Sequence, residues 1–126
     1  MSGASVLVVD DEVGMRETLQ EILTDAGYQV SSAEDGSEAL RQLRESHFDV
    51  VVMDVRMPGM DGVAALEEIG PPPPPVIMMT AYALEEQLRR AVASQAYAVV
   101  HKPFGVPHFL RLVETALAGA ESEGDG

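Results

Sequence analysis

Val50-Val51-Val52-Met53-Asp54 is an unbroken apolar run that ends in a carboxylate. It lacks alternation, so the strand it predicts must be covered on both faces, as in the centre of a parallel sheet. Val6-Leu7-Val8-Val9 upstream and Val76-Ile77-Met78-Met79 downstream have the same character, and Ala98-Val99-Val100-His101 is a shorter relative. Tyr28-Gln29-Val30-Ser31 alternates instead, which predicts an edge strand. Helical spacing fills the intervals. Met15, Leu19, Ile22, Leu23 and Ala26 form one apolar stripe. Leu84, Leu88, Ala91 and Val92 form another, and Phe109, Leu110, Val113 and Leu117 a third. Shorter helices are predicted over Ser37–Ser46 and Gly62–Ile69, with Gly27 as a helix stop and Pro107 in a first turn. Strand and helix thus alternate five times, which predicts an α/β domain with a parallel sheet, helices on both faces and right-handed crossovers.

The 126 residues suit one domain. The reading divides them into a domain over residues 1–119 and a small, acidic, disordered tail over 120–126. Gly70 and Pro71–Pro75 read as a stiff extended connector. Eight Lys and Arg against 21 Asp and Glu give a net charge of −13. Phosphate contacts need clustered cations and anionic bilayers repel anions, so nucleic-acid and membrane binding are not expected. The chain has no cysteine, which excludes disulfides, thiolate nucleophiles and Cys-based zinc sites. The N-terminus lacks a basic leader pattern and no apolar run could span a bilayer, so a cytoplasmic location is expected. Seven of the eight basic residues are arginine, and Lys102, beside Pro103, is the only lysine.

Ligands of open parallel sheets bind beyond the carboxyl ends of the strands. Asp10 and Asp11 follow the first apolar run, Asp54 the third strand, Thr80 the fourth, and Lys102-Pro103-Phe104 the fifth. Three carboxylates, a hydroxyl and an ammonium should therefore share one rim. Crowded carboxylates repel, and a hard divalent cation relieves the repulsion. Oxygen-only ligands, few of them from protein, suit Mg²⁺. With a phosphoryl donor added, a carboxylate can act as nucleophile while cation, ammonium and hydroxyl balance charge on the transferred oxygens.

The motifs Val8-Val9-Asp10-Asp11-Glu12, Asp54-Val55-Arg56-Met57-Pro58-Gly59-Met60-Asp61-Gly62, Met79-Thr80-Ala81 and Lys102-Pro103-Phe104 occur in order at these strand ends. Over residues 4–118 the chain resembles the receiver domains of two-component response regulators, the CheY-like family. The resemblance implies a doubly wound five-stranded sheet of order 2-1-3-4-5, a flavodoxin-like three-layer sandwich. It implies Asp54 as phosphoacceptor for a sensor histidine kinase or phosphotransfer protein. Asp10, Asp11 and Asp54, with the main-chain carbonyl of Arg56, would hold Mg²⁺. Thr80 and Lys102 would contact the phosphoryl group, and Pro103 would follow a cis peptide bond. A downstream protein or a second copy would dock on the face formed by about Leu84–Ala118. The chain departs from the family pattern three residues before Lys102, where Val99 replaces the usual Tyr or Phe and Tyr97 is the nearby aromatic. Arg56 and Tyr82 occupy positions that tune dephosphorylation in the family.

Other classes fit less well. A phosphatase using an aspartyl-phosphate would place an Asp two residues after the nucleophile, where this chain has Arg56. A flavin module would want a Ser/Thr/Gly-rich phosphate loop after the first strand, not Asp10-Asp11-Glu12. The remaining alternative is a phosphorylation-independent docking module of the same fold, which would be expected to lose an acidic residue or the lysine. None is lost. Asp10-Asp11-Glu12 also suits a helix start, and the methionines (Met53, Met57, Met60, Met78, Met79) read as packing. His47, His101 and His108 lack metal-ligand spacing. The reading is therefore a phosphoacceptor switch domain and not a turnover enzyme.

Overall fold

The computed structural model describes residues 3–55, 62–69, 73–80 and 96–125, with the backbone alone described at Gly62, Val63, Leu66 and 120–125. In chain order the elements are β1 (Ser5–Val9), α1 (Val13–Asp25), β2 (Gln29–Ala33), α2 (Gly36–Glu45), β3 (Val50–Asp54), α3 (Gly62–Glu68), β4 (Val76–Thr80), β5 (Ala98–His101) and α4 (Val106–Asp125). The five strands form one parallel sheet in the order β2-β1-β3-β4-β5. The helical pattern over 84–92, Tyr82, Arg56 and the loop to Asp61 lie outside the described residues, as do Gly70 and the first two prolines of the connector.

The continuous apolar runs become the interior strands, and the period of two divides their side chains between two cores. Leu7, Val9, Val51, Met53 and Met78 pack with Ala39, Phe48 and Ala65, on the face covered by α2 and α3. Val6, Val8, Val52, Ile77 and Met79 pack with Leu19 and Leu23 of α1 and with Phe109, Val113 and Ala116 of α4. The spacing of Phe109, Val113 and Ala116 puts all three on one side of α4, where Phe109 also stacks on Phe104 with ring centroids 5.2 Å apart. Three layers result.

Local signals set the helix ends. Gly27 follows α1 with φ of +100°, a conformation that costs other residues a Cβ clash, and its N–H donates to the Thr24 carbonyl. Asp35 caps α2 by accepting from the Glu38 N–H at 2.8 Å, while the Glu38 carboxylate accepts from the Glu34 N–H.

The edge strand departs furthest from the expected bounds. β2 begins at Gln29 and reaches Ala33, beyond the alternating segment that predicts it, because register with β1 pairs Ser32 and Ala33 with Val8 and Val9. The backbone of α4 is helical to Asp125. Ala120, Glu121 and Glu123 are good helix formers, and they extend a helix already nucleated by its packed turns. No helix among the described residues is long and apolar enough to cross a membrane.

Candidate functional site

All the strands run in one direction, so their carboxyl ends lie together, and the site grows from that edge. Asp10 is the first residue past β1, Asp54 is the last of β3, Thr80 is the last of β4, and Lys102 is the first past β5. Register carries the alignment: Val9 pairs with Met53, Asp54 with Met79, and Thr80 with His101. The last ladder is extended by the Lys102 N–H, which donates to the Thr80 carbonyl at 2.7 Å.

Among the described residues, Asp10, Asp54 and Thr80 are the buried polar ones, at 1%, 8% and 2% exposure. Burying carboxylates is expensive unless they are paired. Lys102 supplies the pairing from 92 and 48 residues away. Its Nζ lies 3.1 Å from Asp10 Oδ2 and 3.3 Å from Asp54 Oδ2. Burial alone would lower the pKa of this ammonium, but Asp54 and then Asp10 outweigh it and raise the pKa above its ordinary 10.5. The lysine is therefore a cation at every physiological pH. The other Asp10 oxygen, Oδ1, accepts from the Glu12 N–H at 2.9 Å, which folds the loop between β1 and α1 into an Asx turn.

Asp11 is exposed and faces the same hollow. One carboxylate oxygen each from Asp10, Asp11 and Asp54 lie within 4.8 Å of one another. This donor set is all hard oxygen, carries three formal charges and opens to solvent at Asp11. It fits a small divalent cation that keeps several waters, Mg²⁺ above all.

The sequence-predicted residues thus divide into two sets. Asp10, Asp11, Asp54 and Lys102 meet at one place. Thr80 ends the strand beside that of Asp54. Arg56 lies outside the described residues. The Lys102–Pro103 peptide is cis. Val99 is partly buried against the core on the α2 and α3 side, and Tyr97 is 41% exposed.

Arg16 belongs to the site yet is absent from the sequence reading. Its Nη1 donates to the Asp10 carbonyl at 2.7 Å. One signal was available: an arginine near the N-terminus of a helix opposes the helix dipole and calls for a local acceptor.

The profile of the response regulator receiver domain matches residues 6–114. Among curated proteins, the transcriptional regulatory protein ZraR of Escherichia coli K12 is 41% identical over 119 residues, covering 93% of this chain and 27% of its own length. The regulatory protein AtoC of the same strain is 40% identical over 114 residues, covering 89% of this chain and 25% of its own. The chain therefore spans about a quarter of the length of these relatives. Among solved structures, the chemotaxis protein CheY4 of Vibrio cholerae is 32% identical with a TM-score of 0.86, covering 92% of this chain and 100% of that one. A CheY-like receiver domain protein from Methanospirillum hungatei JF-1 is 28% identical with a TM-score of 0.93, covering 97% and 99%. An acidic hollow on the carboxyl edge of a 2-1-3-4-5 sheet, joined to matches of this extent, shows that the chain belongs to the response regulator receiver domain family.

Proposed function

We propose that this domain accepts a phosphoryl group on Asp54 from the phosphohistidine of a sensor kinase or phosphotransfer protein, and that the resulting acyl phosphate biases its conformation. The observation that carries the reading is the meeting of the buried Asp54 carboxylate with Asp10, Asp11 and Lys102. An oxygen of Asp54 attacks phosphorus as the bond to the donor's imidazole nitrogen breaks, and the imidazole leaves as the nucleophile's charge passes to the phosphoryl group.

Each neighbouring residue has a separate task. Lys102, held as an ammonium, pairs with Asp54 before transfer and with a phosphoryl oxygen after it. The Thr80 hydroxyl, on the adjacent strand end, hydrogen-bonds another. Asp10 and Asp11, with Asp54, would hold Mg²⁺. When bound, that cation supplies charge compensation for the phosphoryl oxygens.

Val99 has no ring to swing inward. A signal through Thr80 therefore passes by displacement of the loops and helices beyond the strand ends, or by another aromatic such as Tyr82, which lies outside the described residues. The output face includes β5 and α4, onto which a downstream protein or a second copy docks.

Incubation with acetyl phosphate and MgCl₂ should add the mass of one phosphoryl group to the intact chain, and Asp54→Ala should add none. A phosphorylated Ala variant would refute the assignment of the nucleophile. Omission of the metal, with EDTA present, should abolish the gain in the wild type.

A further inference from the structure

Asp10 and Asp11 differ in how they are held. Both Asp10 carboxylate oxygens are engaged, one by Lys102 and one by the Glu12 N–H. The Asp11 side chain is exposed and has no hydrogen-bond partner among the described residues. With no contact to orient it, the side chain is constrained only by where its backbone places it. The carbonyl of Asp10 belongs to the planar peptide unit that joins the two residues, so whatever fixes that carbonyl fixes the start of Asp11. Arg16 does this. Its Nη1 reaches back six residues from the second turn of α1 and donates to the Asp10 carbonyl at 2.7 Å.

Charge neutralisation is not what the contact achieves. The guanidinium makes no ion pair among the described residues, although Asp11, Glu34 and Asp35 line the same cleft of about 320 Å³. We propose that Arg16 is a positioning residue: it locks the Asp10–Asp11 peptide plane so that the exposed Asp11 carboxylate converges with Asp10 and Asp54 on a divalent cation. The inference rests on the reading of the hollow as a Mg²⁺ site.

Charge and position predict opposite signs. Removing a cation beside an acidic site would, by Coulomb's law alone, make Mg²⁺ bind more tightly. Removing a positioning contact makes it bind more weakly, by about tenfold for a partner of a metal ligand. The test is calorimetric titration of the full chain with MgCl₂. Arg16→Met keeps the apolar stem and loses the donor, Arg16→Lys keeps charge and a donor, and Arg41→Ala removes one charge from a surface pairing on α2. We expect about tenfold weaker binding for Arg16→Met, recovery of most of it in Arg16→Lys, and wild-type affinity in Arg41→Ala.

Equal or tighter binding by Arg16→Met would overturn the inference. So would a metal-free melting temperature that falls in step with the affinity, or a variant that does not fold, since either would make Arg16 a residue of the fold. Failure of the wild type itself to take up Mg²⁺ would overturn the reading of the hollow, and the inference with it.

Discussion

Lys102 stands against two buried carboxylates, and its replacement leaves them facing each other without a cation from the described residues. Removing one partner of a buried pair is costly, because the other charge stays behind. Lys102→Met should lose about 3 kcal/mol of stability at pH 7 in EDTA, measured by urea unfolding. The pH dependence has a definite sign. The folded-state pKa of Lys102 lies above its ordinary 10.5, so its contribution is fully present below that unfolded value. It is lost as pH rises through the higher folded value. The wild type should therefore show an alkaline loss of stability that Lys102→Met lacks, and equal alkaline slopes would contradict the pairing. Asp54→Asn keeps the shape and removes one charge, so it separates repulsion within the hollow from its packing.

At the scale of the element, two short signals can be priced. Asp35→Ala removes the α2 cap and should cost about 1 kcal/mol. Gly27→Ala forces a Cβ into the left-handed region and should cost about 1–2 kcal/mol. Urea midpoints check both. The elements were legible where burial is symmetric. Val50–Asp54 and Val76–Thr80 are buried along their whole length, so each apolar run starts where its strand starts and the strand ends one residue beyond it, at Asp54 and Thr80. β2 is an edge strand with partly exposed serines, and its register comes from pairing with β1, which no local pattern of Tyr28–Ser31 encodes. In the site, Asp10, Asp54, Thr80 and Lys102 were legible because each sits at the end of an apolar run and strand ends in a parallel sheet converge. Arg16 was not, because a side chain that reaches back to a main-chain carbonyl depends on rotamer and loop geometry, which spacing does not reveal.

Over the whole molecule a net charge of −13 works against compaction. Sodium chloride should raise the melting temperature by screening. Mg²⁺ should raise it further than NaCl of equal ionic strength, because binding to the folded state alone adds about 2.7 kcal/mol at a hundredfold excess over the dissociation constant. Asp11→Ala should remove that surplus and keep the screening effect. Equal shifts for the two salts would reduce the hollow to a patch of ordinary surface charge. The most direct test of the whole account is to phosphorylate the domain with acetyl phosphate and Mg²⁺, reduce it with borohydride, and map the modified residue by peptide mass spectrometry. An acyl phosphate on Asp54 predicts homoserine at position 54 alone. Homoserine at Asp10 or Asp11, or its absence from a chain that has gained phosphate, would contradict it.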